Sequence, residues 1–136
     1  MKAPRLLKRT LITIFAVVIA ACGAETVAAI LFIPAFAATW NVENDNEYRI
    51  DLQPDENNKN VPAGVFEGEE QHDSDSERDG NLITGTFSGL DIVFTIHRPQ
   101  NVKIQYVGKM QPVSDTDHSI VRIVLNSSEG TLILVP

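Results

Sequence analysis

The sequence predicts an all-β domain: about eight short antiparallel strands in a meander, forming a small barrel or curved sheet, behind an N-terminal hydrophobic helix. Three observations predict it. From Thr39 onward, apolar residues recur at every second position, the period of a half-buried strand. The runs are separated by short clusters of turn residues such as Ser88-Gly89, Pro99-Gln100-Asn101 and Ser127-Ser128-Glu129-Gly130. No stretch after residue 38 carries a convincing helical period. Hairpin-length links favour antiparallel pairing, because parallel strands need long crossovers.

Taken in order, Trp40 and Val42 open the pattern, and Tyr48, Ile50 and Leu52 alternate with Glu47, Arg49 and Asp51. Residues 53–62 are polar and rich in Asn and Pro, a loop. The strand over residues 64–70 turns Phe66 and Gly68 inward, and residues 71–81 form an acidic loop. Ile83, Gly85 and Phe87 share the next inner face. Leu90, Ile92, Phe94 and Ile96 line the following strand, with Asp91, Thr95 and His97 facing out. Across the turn at 99–101, Val102, Ile104, Tyr106, Gly108 and Met110 face in, and Lys103, Gln105 and Lys109 face out. After a loop at 112–118, residues 120–125 are apolar on both faces, and 131–135 form the last strand. Gly85 and Gly108 fall on inward positions, where a strand bends sharply or another backbone approaches.

The N-terminal third follows different rules. Lys2, Arg5, Lys8 and Arg9 precede an uncharged apolar run over residues 11–21, the charged-then-apolar order of an export signal. Ile19-Ala20-Ala21-Cys22 resembles the lipobox of bacterial lipoproteins, and Cys22 is the only cysteine. That resemblance implies cleavage before Cys22 and a lipid on its thiol. It divides the chain into a signal peptide at 1–21, a lipid attachment site and apolar tether at 22–38, and a β-domain at 39–136. Two alternatives stay open for the strongly apolar residues 27–38. A general signal peptidase would cut after Ala37 and release a secreted protein. An uncleaved anchor over residues 11–33 has the length to span a bilayer but places Glu25 inside it.

The full chain of 136 residues carries a formal charge of −7. Cleavage before Cys22 removes four of the 11 bases and none of the 18 acids, leaving −11. Such a domain repels nucleic acid phosphates. With one cysteine no internal disulfide forms, so the fold rests on packing.

Three short stretches, Ala38-Thr39-Trp40, Gly85-Thr86-Phe87-Ser88-Gly89 and Tyr106-Val107-Gly108, resemble motifs of small bacterial lipoproteins with a calycin-like β-domain. The resemblance covers residues 38–136. The sequence lacks the Gly that calycins favour two residues before the Trp, and Arg122 is the nearest candidate to pack over Trp40. Tyr48, Phe66, Phe87, Phe94, Tyr106 and Met110, on the inner faces, are the candidate lining of a ligand cavity or the filling of a core.

One local motif carries metal chemistry. Asp75, Glu77 and Asp79, followed by Gly80, resemble the start of a calcium loop, in which alternate carboxylates converge around a tight turn. Position three is Glu, and Thr86 stands where a bidentate Glu is expected, so a plain solvated hairpin loop is the competing reading. His72, His97 and His118 lack metal-ligand spacing to one another. No phosphate loop, dinucleotide fingerprint or nucleophile elbow is present in the sequence, and no cofactor is expected. The expected function is a membrane-tethered, non-enzymatic envelope lipoprotein whose β-domain is a binding or interaction module, placed in the outer membrane facing the periplasm. The alternative is a carrier of a small apolar ligand inside a lipocalin-like barrel. The membrane is the expected partner, reached through Cys22 and residues 27–38.

Overall fold

The structure is a computed structural model and describes residues 32–54 and 60–136. The signal, Cys22, the N-terminal helix and the tether as far as residue 31 lie outside the described residues.

Eight strands, each hydrogen-bonded to its neighbours in sequence order, close into a barrel. They are β1 (Ala38–Val42), β2 (Asp45–Pro54), β3 (Ala63–His72), β4 (Asn81–Ser88), β5 (Asp91–Arg98), β6 (Val102–Pro112), β7 (Ile120–Ser127) and β8 (Gly130–Val135). All pairings are antiparallel, and the barrel closes through Asn41 opposite Val135 and Val42 opposite Leu134. A closed sheet leaves no long edge for another chain to extend.

The alternation read from the sequence sets the inner face. Tyr48, Ile50 and Leu52 of β2, Ile83 and Phe87 of β4, and Ile92, Phe94 and Ile96 of β5 are all buried. Phe94 stands opposite Tyr106 and Ile96 opposite Ile104, while Asp91 meets Lys109 outside in an ion pair of 3.0 Å. Gly108 is required where β6 pairs with β7 opposite Leu125, because a Cβ there would overlap the carbonyl oxygen of Val124. At Gly85 the Phe66 ring and the carbonyl of Val93 occupy that space.

The strand edges differ from the sequence expectation. β3 runs on to His72 and β4 starts at the buried Asn81, so the acidic loop is shorter than residues 71–81. Val102 has inward parity but is 45% exposed. It pairs with Arg98 at the rim, beyond the last apolar layer. Leu90 sits in the β4–β5 turn and is half-buried. In β7 the register shifts by one residue opposite Gln111 and Pro112, so Ile120 and Ile123 both face in and Val121 is 42% exposed.

The folded unit begins upstream of β1. Residues 32–37 form a strap across the end of the barrel that holds the β2–β3, β4–β5 and β6–β7 connections. Ala35 donates to the carbonyl of His118 at 3.0 Å and accepts from the Ile120 amide at 3.1 Å. Phe36 is 2% exposed and meets Phe87 and Phe66 edge-on at 5.0 and 5.4 Å. Its carbonyl accepts the indole N–H of Trp40 at 2.9 Å. Arg122 lies outside and reaches Glu43 at 3.4 Å.

Candidate functional site

The interior changes character at the end opposite the strap. By alternation β3 sends Phe66, Gly68 and Glu70 inward, and Glu70 is wholly buried, a position where a bare carboxylate is costly. Three residues from three strands compensate. The Tyr48 hydroxyl of β2 donates to Glu70 Oε2. Asn81, the first residue of β4, donates its amide to Glu70 Oε1 at 2.8 Å. Arg98, the last residue of β5, approaches both oxygens, through Nη2 at 2.8 Å and Nε at 3.2 Å. The same guanidinium donates to Glu129 in the β7–β8 turn, which also accepts the Tyr106 hydroxyl at 3.2 Å. Arg78, from a single 3-10 turn between β3 and β4, lies 5.5 Å above the Tyr48 ring and 3.9 Å from Glu129.

The electrostatics follow from burial and pairing. Burial raises the Tyr48 phenol well above its ordinary value, and the bond to Glu70 adds to the effect. Burial raises Tyr106 as well. Burial works against a charged Arg98, but its bonds to Glu70 and Glu129 outweigh that and leave its pKa raised. Burial likewise works against an ionised Glu129, yet the bonds from Arg98 prevail and hold it below the usual carboxylate range. Among the described residues no buried side-chain N or O atom lacks a hydrogen-bond partner. The cluster is therefore satisfied internally and joins two turns across the barrel mouth.

The sequence reading did not single out Glu70, Arg98 or Glu129. Glu70 follows Gly68 by two positions on an inward face, which is the signal that would have found it.

The six inner-face residues proposed as a lining, Tyr48, Phe66, Phe87, Phe94, Tyr106 and Met110, are all brought into one buried core. Phe66, Phe87, Phe94 and Tyr106 pack ring against ring, with centroids 5.5 to 6.5 Å apart. Asp75, Glu77 and Asp79 lie in and beside the 3-10 turn. Asp75 accepts the Glu77 amide at 3.1 Å, and Asp79 accepts the His72 amide at 3.2 Å. Among the described residues, the three ligand atoms lying within 4.8 Å of one another belong instead to Asp45, Glu47 and His72. His72 Nδ1 accepts the amides of Ser74 and Asp75 at 3.2 and 3.0 Å. Those bonds assign the neutral ring's proton to Nε2, which faces Asp45 at 3.6 Å and then offers no lone pair to a cation. Cys22 lies outside the described residues.

Compared with protein-family models, with curated proteins and with solved structures, the chain matches none.

Proposed function

We propose that this chain is an exported lipoprotein, held in the bacterial envelope through Cys22, whose barrel is a non-enzymatic binding or interaction module. Phe36 carries the reading. It is a core residue upstream of Ala37, so cleavage after Ala37 would remove it and strip Trp40 of its indole acceptor. A truncated aromatic core residue costs about 3–5 kcal/mol, a large part of a small domain's stability. Cleavage before Cys22 leaves the strap intact. Phe36 also fills the barrel mouth with the chain's own side chain, which favours recognition by the outer surface and turns over carriage in the interior.

Replacing Cys22 with Ser is expected to abolish fatty-acid labelling and to leave an unprocessed precursor. The intact mass of the membrane-extracted protein gives the cleavage site and the acyl chains together. A mature N-terminus at Ala38 would remove the lipoprotein reading.

The carrier reading rests on a separate feature of the same residue. Among the described residues Phe36 is the one buried aromatic side chain supplied from outside the strands. A strap is easier to withdraw than a barrel strand. In that reading a small apolar ligand takes the place of Phe36, and native mass spectrometry of the purified protein would find it copurified.

A further inference from the structure

Strand β6 is longer than one of its two neighbours allows for. β5 pairs with it from Val102 to Lys109, but β7 pairs with it only from Val107 onward. Residues 102–106 therefore extend past the β7–β8 hairpin, and among the described residues no strand pairs with their second side. One bond fixes which backbone groups face that side. The Met110 amide donates to the carbonyl of Leu90, just before β5, at 2.8 Å. The β5–β6 register runs on without a shift, and successive residues of a strand point their N–H and C=O to alternate sides. Ile104 and Tyr106 thus bond to β5, while Lys103 and Gln105 present their N–H and C=O to the open side. An extended segment adds to such an edge as a further strand.

Charge distinguishes this overhang from ordinary barrel rim. Arg49, Arg78, Arg98, Lys109 and Arg122 each pair with a carboxylate. Lys103 is the one remaining Lys or Arg among the described residues, and it forms no ion pair there. It stands opposite His97, which bonds to Thr84, and Glu129 in the adjoining β7–β8 turn is held inward by Arg98. Lys103 and Gln105 are exposed on the outer face, and on the other face Val102 is 45% exposed and Ile104 half-buried.

We propose that residues 103–105 are a docking edge for an extended acidic segment of a partner protein. The segment adds to β6 as a strand, with a carboxylate beside Lys103 and apolar side chains beside Val102 and Ile104, the alternation that a strand imposes. The inference rests on the binding-module reading and does not depend on the lipid at Cys22.

The test uses the full chain in detergent micelles and two short synthetic peptides, one of alternating Val and Glu, the other of alternating Val and Lys. Hydrogen exchange over residues 102–106 is read by mass spectrometry. The acidic peptide is expected to slow the fast-exchanging amides there by about tenfold when about nine-tenths of the chain is bound, since only the free fraction exchanges. The basic peptide is expected to leave exchange unchanged. Gln105→Pro removes an amide that bonds nothing in β5, so this variant is expected to keep the denaturation midpoint and lose the protection. Lys103→Glu, which alters no backbone group, is expected to lose it too. Protection that persists in Gln105→Pro, or that the basic peptide gives equally, overturns the docking edge and leaves the module reading standing. Protection without peptide that grows with protein concentration overturns the partner in favour of a second copy of this chain. No protection by either peptide overturns the proposal, and an apolar ligand copurified in the native mass spectrum overturns the module reading with it.

Discussion

Glu70 shows what a single residue contributes to this barrel. A carboxylate with no solvent exposure must be matched in place, and Tyr48, Asn81 and Arg98 do so from three strands. Removing one partner of such a pair costs more than replacing both, because the remaining charge stays buried. Arg98→Ala is therefore expected to lower unfolding stability by about 3–5 kcal/mol in denaturant titration. The double replacement Glu70→Leu with Arg98→Met is expected to be less destabilising than Arg98→Ala alone. A double variant that loses more than the single one would show that the pair is net stabilising against apolar packing. The position of Glu70 was legible in the sequence, since it continues the inward parity of Phe66 and Gly68. Its role was not. Glu70 closes the expected strand over residues 64–70 with no partner marked for it, and no local spacing announces Arg98, 28 residues further on. Asn81, closer in sequence, was absorbed into the expected loop because its residue type favours turns.

At the scale of the strand pair, the paired register of β5 and β6 was legible because period two admits no intermediate solution. Phe94 is 1% exposed, whereas Thr95 is outward and opposite Gln105. Phe94→Ala is expected to cost about 3–5 kcal/mol, and Thr95→Ala about 0.5 kcal/mol. Similar denaturation midpoints for the two variants would contradict this packing. Gly108→Ala is a sharper probe of the close pairing of β6 and β7. The added methyl cannot avoid the Val124 carbonyl by changing rotamer, so the backbone of one strand must move. A loss of about 3 kcal/mol or more is expected, beyond what the lower backbone entropy of Ala in the unfolded state returns. The shift in β7 was not legible. Residues 120–125 are apolar on both faces, so nothing in their pattern distinguishes a bulged register from a regular one. Val102 defeats the pattern differently: parity gives direction, but not how far along a tilted strand the core extends.

For the molecule as a whole, the described ends close by different chemistry, and pH separates them. Phe36 and its aromatic neighbours carry no titratable group. The opposite end depends on Glu129, which faces Arg98 from β5, Arg78 from the β3–β4 connection and Tyr106 from β6. Arg98 and Arg78 hold Glu129 below its ordinary value despite partial burial. Near and below pH 4 the unfolded chain therefore binds the Glu129 proton more readily than the folded one. The stability this supplies is complete above an unfolded value of about 4.3 and is lost as pH falls through the lower folded value. Tyr48 and Tyr106 act in the reverse sense. Their raised values make the folded state hold phenol protons that the unfolded chain releases, so stability falls as pH rises above about 10. The exposed pair of Asp73 with Arg49 also contributes on the acid side, but salt screens it. Denaturation midpoints measured from acid to alkaline pH in high salt should form a plateau with two falling limbs. Glu129→Gln should lower the plateau and flatten the acid limb, and soften the alkaline limb only in part, because burial is the larger cause of the raised Tyr106 value. Tyr106→Phe should flatten the alkaline limb more than the acid one, which it weakens only by removing one of the bonds that lower Glu129. An acid limb unchanged in Glu129→Gln would mean that the two turns are not held together by that carboxylate, and that the Glu70 bonds to Tyr48, Asn81 and Arg98 close the polar mouth without it.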